Sequence, residues 1–204
     1  ALPISFGYKV AGWLESLIRL DKNFLNSEKN YFTLFFGGAV GAMHGYKKKG
    51  YKFTNQLAKN LGLNNSLVPN RTSLETSIDY LSSLSFLGLI LGKIANDIYM
   101  LTQDSIGEIS EMQSKFQVGS STMPHKLNAY SIYKVMKISS LLRSKSSISY
   151  NEGLSLFEGD AKNDFVIEHL IQENVVEALN LAKNFNILLQ KININKKKNV
   201  FKFD

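Results

Sequence analysis

The run from Val118 to Asn128, VGSSTMPHKLN, brings together residues that can do chemistry in one short stretch. Gly119 is followed by three hydroxyl residues, a Met-Pro pair, a histidine, a lysine and an asparagine. The glycine permits backbone angles that other residues avoid, and Pro124 disfavours a helical conformation of the residue before it. We therefore predict a loop whose hydroxyl and backbone N–H groups suit a carboxylate or a phosphate. A polar connection between two helices is the alternative.

The composition describes a globular chain of ordinary domain size. Its 204 residues are 44% hydrophobic and 20% charged, which is sufficient to bury a core. The net charge is +7, but the lysines are spread along the chain, with local clusters only at Lys47–Lys49 and Lys196–Lys198. This pattern is typical of a solvated surface, so we expect no nucleic-acid partner.

The sequence also excludes cysteine-dependent sites and lacks the patterns of a signal peptide and a membrane span. It contains no cysteine, which excludes disulfides, thiolate metal sites and a cysteine nucleophile. The first residues lack the pattern of a signal peptide. The most apolar run, Leu84 to Leu91, is broken by Gly92 and Lys93 and is too short to span a bilayer. We therefore expect no membrane partner and a cytoplasmic location.

Helical periodicity dominates the regions that must position this loop. Apolar residues recur at steps of three and four, and no alternating strand pattern stands out. The predicted helices run over Phe6 to Phe24, Phe53 to Leu61, Ser73 to Leu101, Ala129 to Ser146, and a last stretch between Phe165 and Leu189. The predicted fold class is all-α, a bundle of long helices.

The bundle is predicted to span residues 1–190, with the loop at about 102–128 and a peripheral basic tail at 191–204. The helix from Ser73 to Leu101 is apolar nearly all round near its middle, which places it at the centre, covered by other helices or other subunits. The small residues between Phe35 and Gly45 predict close backbone packing or a helix break.

Several stretches resemble one superfamily in the expected order. VGSSTMPHKLN resembles the GSSxMPxKxN signature of the fumarase, aspartase and adenylosuccinate lyase superfamily, and MPHK is closest to the adenylosuccinate lyase branch. ALPISFGYKVAGW is similar to the segment that follows the family's GHTH motif. GKIANDIYMLTQDSIGEISE, SIDYLSSLS and FEGD are similar to later segments. The resemblance covers the central helical domain and the C-terminal part, without the N-terminal domain.

The resemblance implies a β-elimination that releases fumarate, as in purine nucleotide biosynthesis. Ser120 would be the base, and the carboxylate of the substrate would be held by Ser121, Thr122, Met123, Lys126 and Asn128. No metal or organic cofactor is implied. The implied partners are a small dicarboxylate or succinyl-nucleotide substrate and further copies of the chain in a homotetramer. Argininosuccinate or a carboxymuconate-type acid is an alternative substrate.

Departures from the family pattern keep other readings open. The chain begins after the position of the GHTH histidine, which serves the family as general acid. Ala129 and Tyr133 stand where the family has proline and glutamate, and Thr76 stands at a substrate arginine. Asp164 occupies a position where adenylosuccinate lyases contact phosphate. The chain is therefore predicted to be poorly active alone, and could be an inert helical scaffold or one subunit of a split lyase whose separate partner chain supplies the histidine.

Overall fold

The structure is a computed structural model that describes residues 3–112 and 129–196. In this part of the chain it contains five α-helices, one 3-10 helix and four very short strands. The helices are α1 (Phe6–Tyr31), α2 (Gly50–Leu61), α3 (Glu75–Leu101), α4 (Tyr130–Glu152) and α5 (Ala161–Lys191), and the 3-10 helix is His44–Lys49. The strands are β1 (Thr33–Leu34), β2 (Asn64–Asn65), β3 (Ile109–Glu111) and β4 (Ile192–Ile194). The all-α prediction is confirmed.

The predicted helices are all present, but two of them end several residues later in the chain than predicted. Helix α1 continues beyond the predicted end at Phe24, and α4 continues beyond Ser146. The extension of α4 is rich in serine, but Tyr150 at its end hydrogen-bonds with Ser82 of α3 at 3.0 Å. Helix α2 ends as predicted at Gly62, whose φ of 68° is left-handed and whose N–H bonds to the carbonyl of Ala58.

The chain divides into two compact units. The first comprises residues 1–18, 86–143 and 176–204, and the second comprises 19–85 and 144–175. In the first unit α3, α4 and α5 all contribute fully buried side chains. These are Ile94 and Ile98 of α3, Ile132, Val135 and Leu142 of α4, and Leu181 and Leu188 of α5. Burial of side chains from three helices provides the core of this unit.

Within the first unit, α3 approaches α4 closely at two glycines. A Cβ atom on Gly92 would lie 3.0 Å from the Cβ atom of Ser139, and one on Gly88 would lie 3.2 Å from the carbonyl oxygen of the same residue. Ser139 itself is fully buried. The absence of side chains at these two glycines therefore sets the spacing between the helices.

The second unit has its own apolar core. Leu74 and Leu81 of this unit pack with Ile167 and Leu170, and Ile78 lies against them. The two strands β1 and β2, which also belong to this unit, pair in parallel.

The glycine-rich stretch between Phe35 and Gly45 forms a close contact in the second unit. Gly41 has a φ of 76°, and a Cβ atom there would lie 2.2 Å from the carbonyl oxygen of Pro69. The predicted close backbone packing is therefore confirmed, but it joins two loops instead of two helices. His44, at the end of this stretch, is exposed.

Helix α3 is long and apolar enough to cross a membrane by length and composition, and among the described helices it alone meets that test. The run from Leu84 to Leu91, by itself too short to span a bilayer, is only the most apolar part of this helix. A core helix of a soluble protein meets the same criteria, so hydropathy gives only weak evidence for a membrane segment here.

Candidate functional site

The predicted catalytic and binding residues lie outside the described residues. Ser120, Ser121, Thr122, Met123, Lys126 and Asn128 all belong to the segment 113–128. Their roles therefore stay predictions. What the structure does show is how the residues on either side of this segment are held.

Strand β3 lies just before the segment 113–128 in the chain. This strand pairs antiparallel with β4, and Glu111 lies opposite Ile192. The N–H of Met112 then donates to the carbonyl oxygen of Lys191 at 2.8 Å. The end of α5 and the strand that follows it thus hold the chain at the last described position before the motif.

The segment is left through the start of α4. Ala129 is buried, and α4 begins at Tyr130. The N–H of Ser131 donates to Oε1 of Glu111 at 3.0 Å. The carboxylate of Glu111 therefore ties the exit of the segment to its entry, and it satisfies one of the free N–H groups of the first helical turn. This contact was not predicted, because nothing local in the sequence indicates that Glu111 bonds to α4.

Tyr133 stands on α4 where the family has a glutamate. Its ring lies against that of Tyr99, with the centroids 5.5 Å apart. A side-chain hydrogen bond with Tyr99 raises the pKa of Tyr133, and burial and the charge of Tyr99 add to this effect. The phenol is therefore neutral near pH 7, and it lacks the negative charge with which a glutamate would polarise a histidine.

A carboxylate that the sequence analysis missed lies elsewhere in the first unit. Oδ2 of Asp97 accepts a hydrogen bond from Nε1 of Trp13 at 2.9 Å and a second from Lys93. Burial acts to raise the pKa of Asp97, but the hydrogen bonds from Lys93 and Trp13 outweigh it, with a further contribution from the charge of Lys9. The pKa is lowered as a result. Asp97 is thus a stable anion that fixes the indole of α1.

The second unit contains a cavity of about 370 Å³. Its lining includes Thr76, the residue at the family's substrate-arginine position, together with Arg71, Ser77, Tyr31 and Tyr80. Burial, and then the charge of Tyr31, raise the pKa of Tyr80, so this phenol is also neutral.

Arg71 is the cation that sequence analysis missed in this cavity. Its Nη2 lies 3.0 Å from Oδ2 of Asp164, and its Nη1 donates to the carbonyl oxygen of Ala39 at 3.0 Å. Asp164, which the sequence analysis placed at a phosphate-contact position, is thus paired with an arginine. No signal in the sequence connects the two, because 93 positions separate them. In the described part of the chain, no group of three or more His, Asp or Glu side chains could hold a metal ion.

A family model described as a lyase matches residues 1–139. The chain belongs to this lyase family. The family lies in the fumarase/aspartase superfamily, as the resemblance of the signature motif indicated. The segments quoted for that resemblance up to the first part of α4 all fall within the matched residues.

Two curated relatives illustrate the range of this lyase family. An N-acetyl-S-(2-succino)cysteine lyase from Enterococcus italicus is 38% identical over 128 residues, which are 63% of this chain and 28% of the relative. An adenylosuccinate lyase from Archaeoglobus fulgidus is 26% identical over 196 residues, which are 96% of this chain and 44% of the relative. The chain therefore spans less than half the length of either relative.

Solved structures of the superfamily share the fold. A 3-carboxy-cis,cis-muconate lactonizing enzyme from Pseudomonas putida matches with a TM-score of 0.88 and 23% identity, over 98% of this chain and 44% of that one. A fumarate lyase from Mesorhizobium matches with a TM-score of 0.85 and 20% identity, over 97% of this chain. At such identities the likeness concerns the fold alone.

Proposed function

We propose that this chain is part of a fumarate-releasing lyase of the adenylosuccinate-lyase type. The observation that carries the proposal is the motif VGSSTMPHKLN in a chain whose residues 1–139 match the lyase family. Superfamily members act on small dicarboxylate substrates and are commonly homo-oligomers. We extend both properties to this protein, and we place it as a soluble protein in the cytoplasm.

The proposed reaction is an anti elimination. Ser120 removes the proton next to a carboxylate, the electron pair forms a carbon–carbon double bond, and the bond to the departing nitrogen or sulfur breaks while a general acid protonates that atom. Loss of the proton gives an aci-carboxylate, in which the charge of the carbanion is shared with the adjacent carboxylate. This intermediate carries two negative charges, so it needs fixed donors and a cation. Lys126 and Asn128 supply these, with Ser121, Thr122 and the N–H of Met123 beside them. A serine hydroxyl is a weak base in water, so the site must exclude water when substrate is bound.

Adenylosuccinate is the first candidate substrate. The match to an adenylosuccinate lyase extends over 96% of this chain, and the MPHK sequence supports the same branch. A succinylated thiol is the second candidate. It is favoured by the higher identity to the N-acetyl-S-(2-succino)cysteine lyase and by Asp164, whose carboxylate would repel a phosphate.

The reaction also needs a general acid that protonates the leaving group, and no motif in these 204 residues provides one. They contain no GHTH sequence, and Tyr133 replaces the glutamate that would polarise a histidine. Loss of a general acid typically costs a factor of about 10² to 10⁴ in rate. We therefore propose that turnover by these 204 residues needs a general acid from a further segment, and a split lyase is one arrangement that would supply it. An inert scaffold that retains the bundle is the competing proposal.

Reconstitution distinguishes these proposals. The 204-residue chain is assayed alone and after mixing with a polypeptide that carries the GHTH segment, and fumarate release is followed by ultraviolet absorbance. Adenylosuccinate and N-acetyl-S-(2-succino)cysteine are compared as substrates. We expect turnover only in the mixture. Ser120→Ala should abolish turnover without changing the helical content. The matched change Ser147→Ala, at an exposed position of α4, should have no effect. Full turnover by the chain alone would refute the assigned roles, and no turnover in any mixture would favour the scaffold.

Carboxylate binding is testable without turnover. Amide hydrogen exchange over residues 118–128 should slow when fumarate is added at saturating concentration, because the proposed donors would then be engaged. Exchange over α2, which carries none of the proposed contacts, serves as the internal control. Unchanged exchange in 118–128 would remove the carboxylate-binding assignment while leaving the fold untouched.

A further inference from the structure

The positive charge of the chain is concentrated in one segment. Residues 29–74 contain six lysines, one arginine and no aspartate or glutamate, which gives this segment a charge of +7. The whole chain also has a net charge of +7, so the remaining residues are neutral as a set. The expectation of no nucleic-acid partner rested on the spread of the lysines along the chain. The acidic residues are not spread in the same way, and their absence here leaves a strongly positive region.

Most of these lysines lie on α2 or directly before it. Helix α2 packs against the 3-10 helix and against β1 and β2, all of which belong to the same acid-free segment. Within the described part of the chain, these lysines are exposed and form no ion pair. They are Lys47, Lys48, Lys49, Lys52 and Lys59, and we call them the lysine surface.

Aromatic packing fixes the lysine run 47–49 against α2. The rings of Tyr46, directly before the run, and Phe53 of α2 stack with their centroids 5.0 Å apart. The ring of Phe36 lies 6.0 Å from each of them. Lys47 has a φ of 47°, a left-handed value that strains a lysine backbone. The run is therefore presented from a packed turn.

The lysine surface continues into an open polar groove beside α2. The groove has a volume of about 630 Å³, and among the described residues no acidic side chain lines it. Lys52 and Lys59 stand about two turns apart along the helix, with Asn55 and Gln56 between them. Tyr51 also lines the groove and is 52% exposed, so part of its ring is accessible.

The amide groups of the groove retain capacity for a ligand. Oδ1 of Asn55 accepts a hydrogen bond from Asn65 at 3.1 Å, and Nε2 of Gln56 donates to Asn60 at 2.9 Å. Among the described residues, Nδ2 of Asn55 and Oε1 of Gln56 make no hydrogen bond. One amide donor and one amide acceptor are thus available beside the two lysines.

This combination of groups suits single-stranded RNA. Lysines neutralise backbone phosphates, an accessible tyrosine ring stacks on an unpaired base, and amides hydrogen-bond with base edges and the 2′-hydroxyl. A duplex would keep its bases from the ring, and DNA lacks the 2′-hydroxyl. An acidic peptide would use the lysines without the ring, and a membrane surface would leave the concave polar groove unused.

We propose that the lysine surface and the groove beside α2 bind single-stranded RNA, with the lysines on phosphates and Tyr51 stacked on a base. This second function lies in the second unit. It uses none of the residues assigned to the proposed elimination, so binding alone tests it.

Three anionic polymers of equal length test the proposal on the 204-residue chain. They are oligouridylate about 12 nucleotides long, oligothymidylate and oligoglutamate, and fluorescence anisotropy measures their binding. Oligouridylate should bind at least about tenfold more tightly than oligoglutamate, since stacking of one base contributes that much. Equal affinity for oligoglutamate would overturn the nucleic-acid assignment, and equal affinity for oligothymidylate would overturn the choice of RNA. Binding to phosphatidylserine vesicles without binding to oligouridylate would identify a membrane surface instead.

A lysine substitution assigns the phosphate contacts. Lys52→Gln should weaken oligouridylate binding and reduce the slope of log affinity against log salt by about 0.7, the contribution of one phosphate on a single strand. Lys22→Gln, at an exposed position of α1, removes the same charge and should change neither quantity. Circular dichroism verifies that each variant is folded. Equal effects of the two changes would refute the lysine surface as the binding site.

A tyrosine substitution assigns the stacking contact. Tyr51→Leu should weaken oligouridylate binding about tenfold and leave oligoglutamate binding unchanged. Tyr8→Leu, which removes an exposed ring from α1 in the first unit, is the matched control and should affect neither ligand. A Tyr51→Leu variant that loses affinity for both ligands alike, or for neither, would refute the stacking role.

Discussion

At the scale of single residues, Asp97 shows how an ion pair and a neutral donor can act on one carboxylate. Lys93 lies one helical turn before Asp97 on α3, and the indole of Trp13 approaches from α1. Trp13 is buried, and its ring also packs against Phe6 at 6.0 Å. The carboxylate therefore links the start of α1 to α3 within the first unit.

The lowered pKa of Asp97 predicts a pH dependence of stability. A carboxyl group whose pKa is lower in the folded chain stabilises it above the unfolded pKa of 3.8, and this contribution is lost as the pH falls through the folded pKa. Asp97→Asn retains an oxygen for Trp13 but should lose that contribution, about 1 kcal/mol or less because the site is partly solvated. Urea unfolding between neutral pH and pH 3 measures it. The difference between wild type and variant should shrink in acid.

The control for this prediction is Asp21→Asn, on an exposed position of α1. It removes the same charge without the contacts to Trp13 and Lys93. If Asp97→Asn and Asp21→Asn gave the same difference profile, the contacts of Asp97 would have no specific effect on stability.

At the scale of elements, the glycines of α1 and α3 have opposite roles. A Cβ atom on Gly12 would meet no other heavy atom within 4 Å, so Gly12→Ala should stabilise α1 by about 0.5 to 1 kcal/mol through helix propensity. On Gly92 the added atom would lie 3.0 Å from Ser139, which is fully buried. Gly92→Ala should therefore show no net gain. Denaturant midpoints compare the two, and an equal gain in both would contradict the close approach of α3 to α4.

The long helices were predictable from the sequence because their apolar residues follow the 3.6-residue period. Gly62 was predictable as the end of α2 because a left-handed position favours glycine. The short strands were not predictable, since pairs of two or three residues depend on partners far along the chain. The motif around Ser120 could be found because its residues are contiguous in the sequence. The pairing of Arg71 with Asp164 could not, because it joins residues 93 positions apart.

At the scale of the whole molecule, the exposed apolar side chains of the single chain support the proposed assembly. Leu179 of α5 is 67% exposed and Val176 is 58% exposed, and Leu14 of α1 and Phe86 of α3 are also exposed. Subunit interfaces of oligomers bury apolar side chains of this kind. We therefore expect the chain to form a homotetramer, as proposed from the superfamily.

Leu179→Glu tests this expectation. A carboxylate on a buried apolar interface would lose its hydration, so the variant should form smaller species in light scattering while circular dichroism stays unchanged. Lys183→Glu, on the same helix at an exposed polar position, is the matched control. A wild-type chain that is a stable, well-folded monomer in dilute solution would contradict the assembly.

The two ties around the signature segment also have an entropic consequence. Closing a chain of n residues costs about (3/2)RT ln n plus a constant, and each doubling of its length adds about 0.6 kcal/mol. The pairing of β3 with β4 and the bond from Ser131 to Glu111 fix both ends during folding. A ligand of the proposed site would therefore bind to a segment whose entry and exit are already fixed. Cutting the chain after Lys191 would remove β4, the partner of β3, and would leave the entry of the segment less constrained. We therefore expect a strand with no catalytic group to influence the proposed binding of a ligand by the motif.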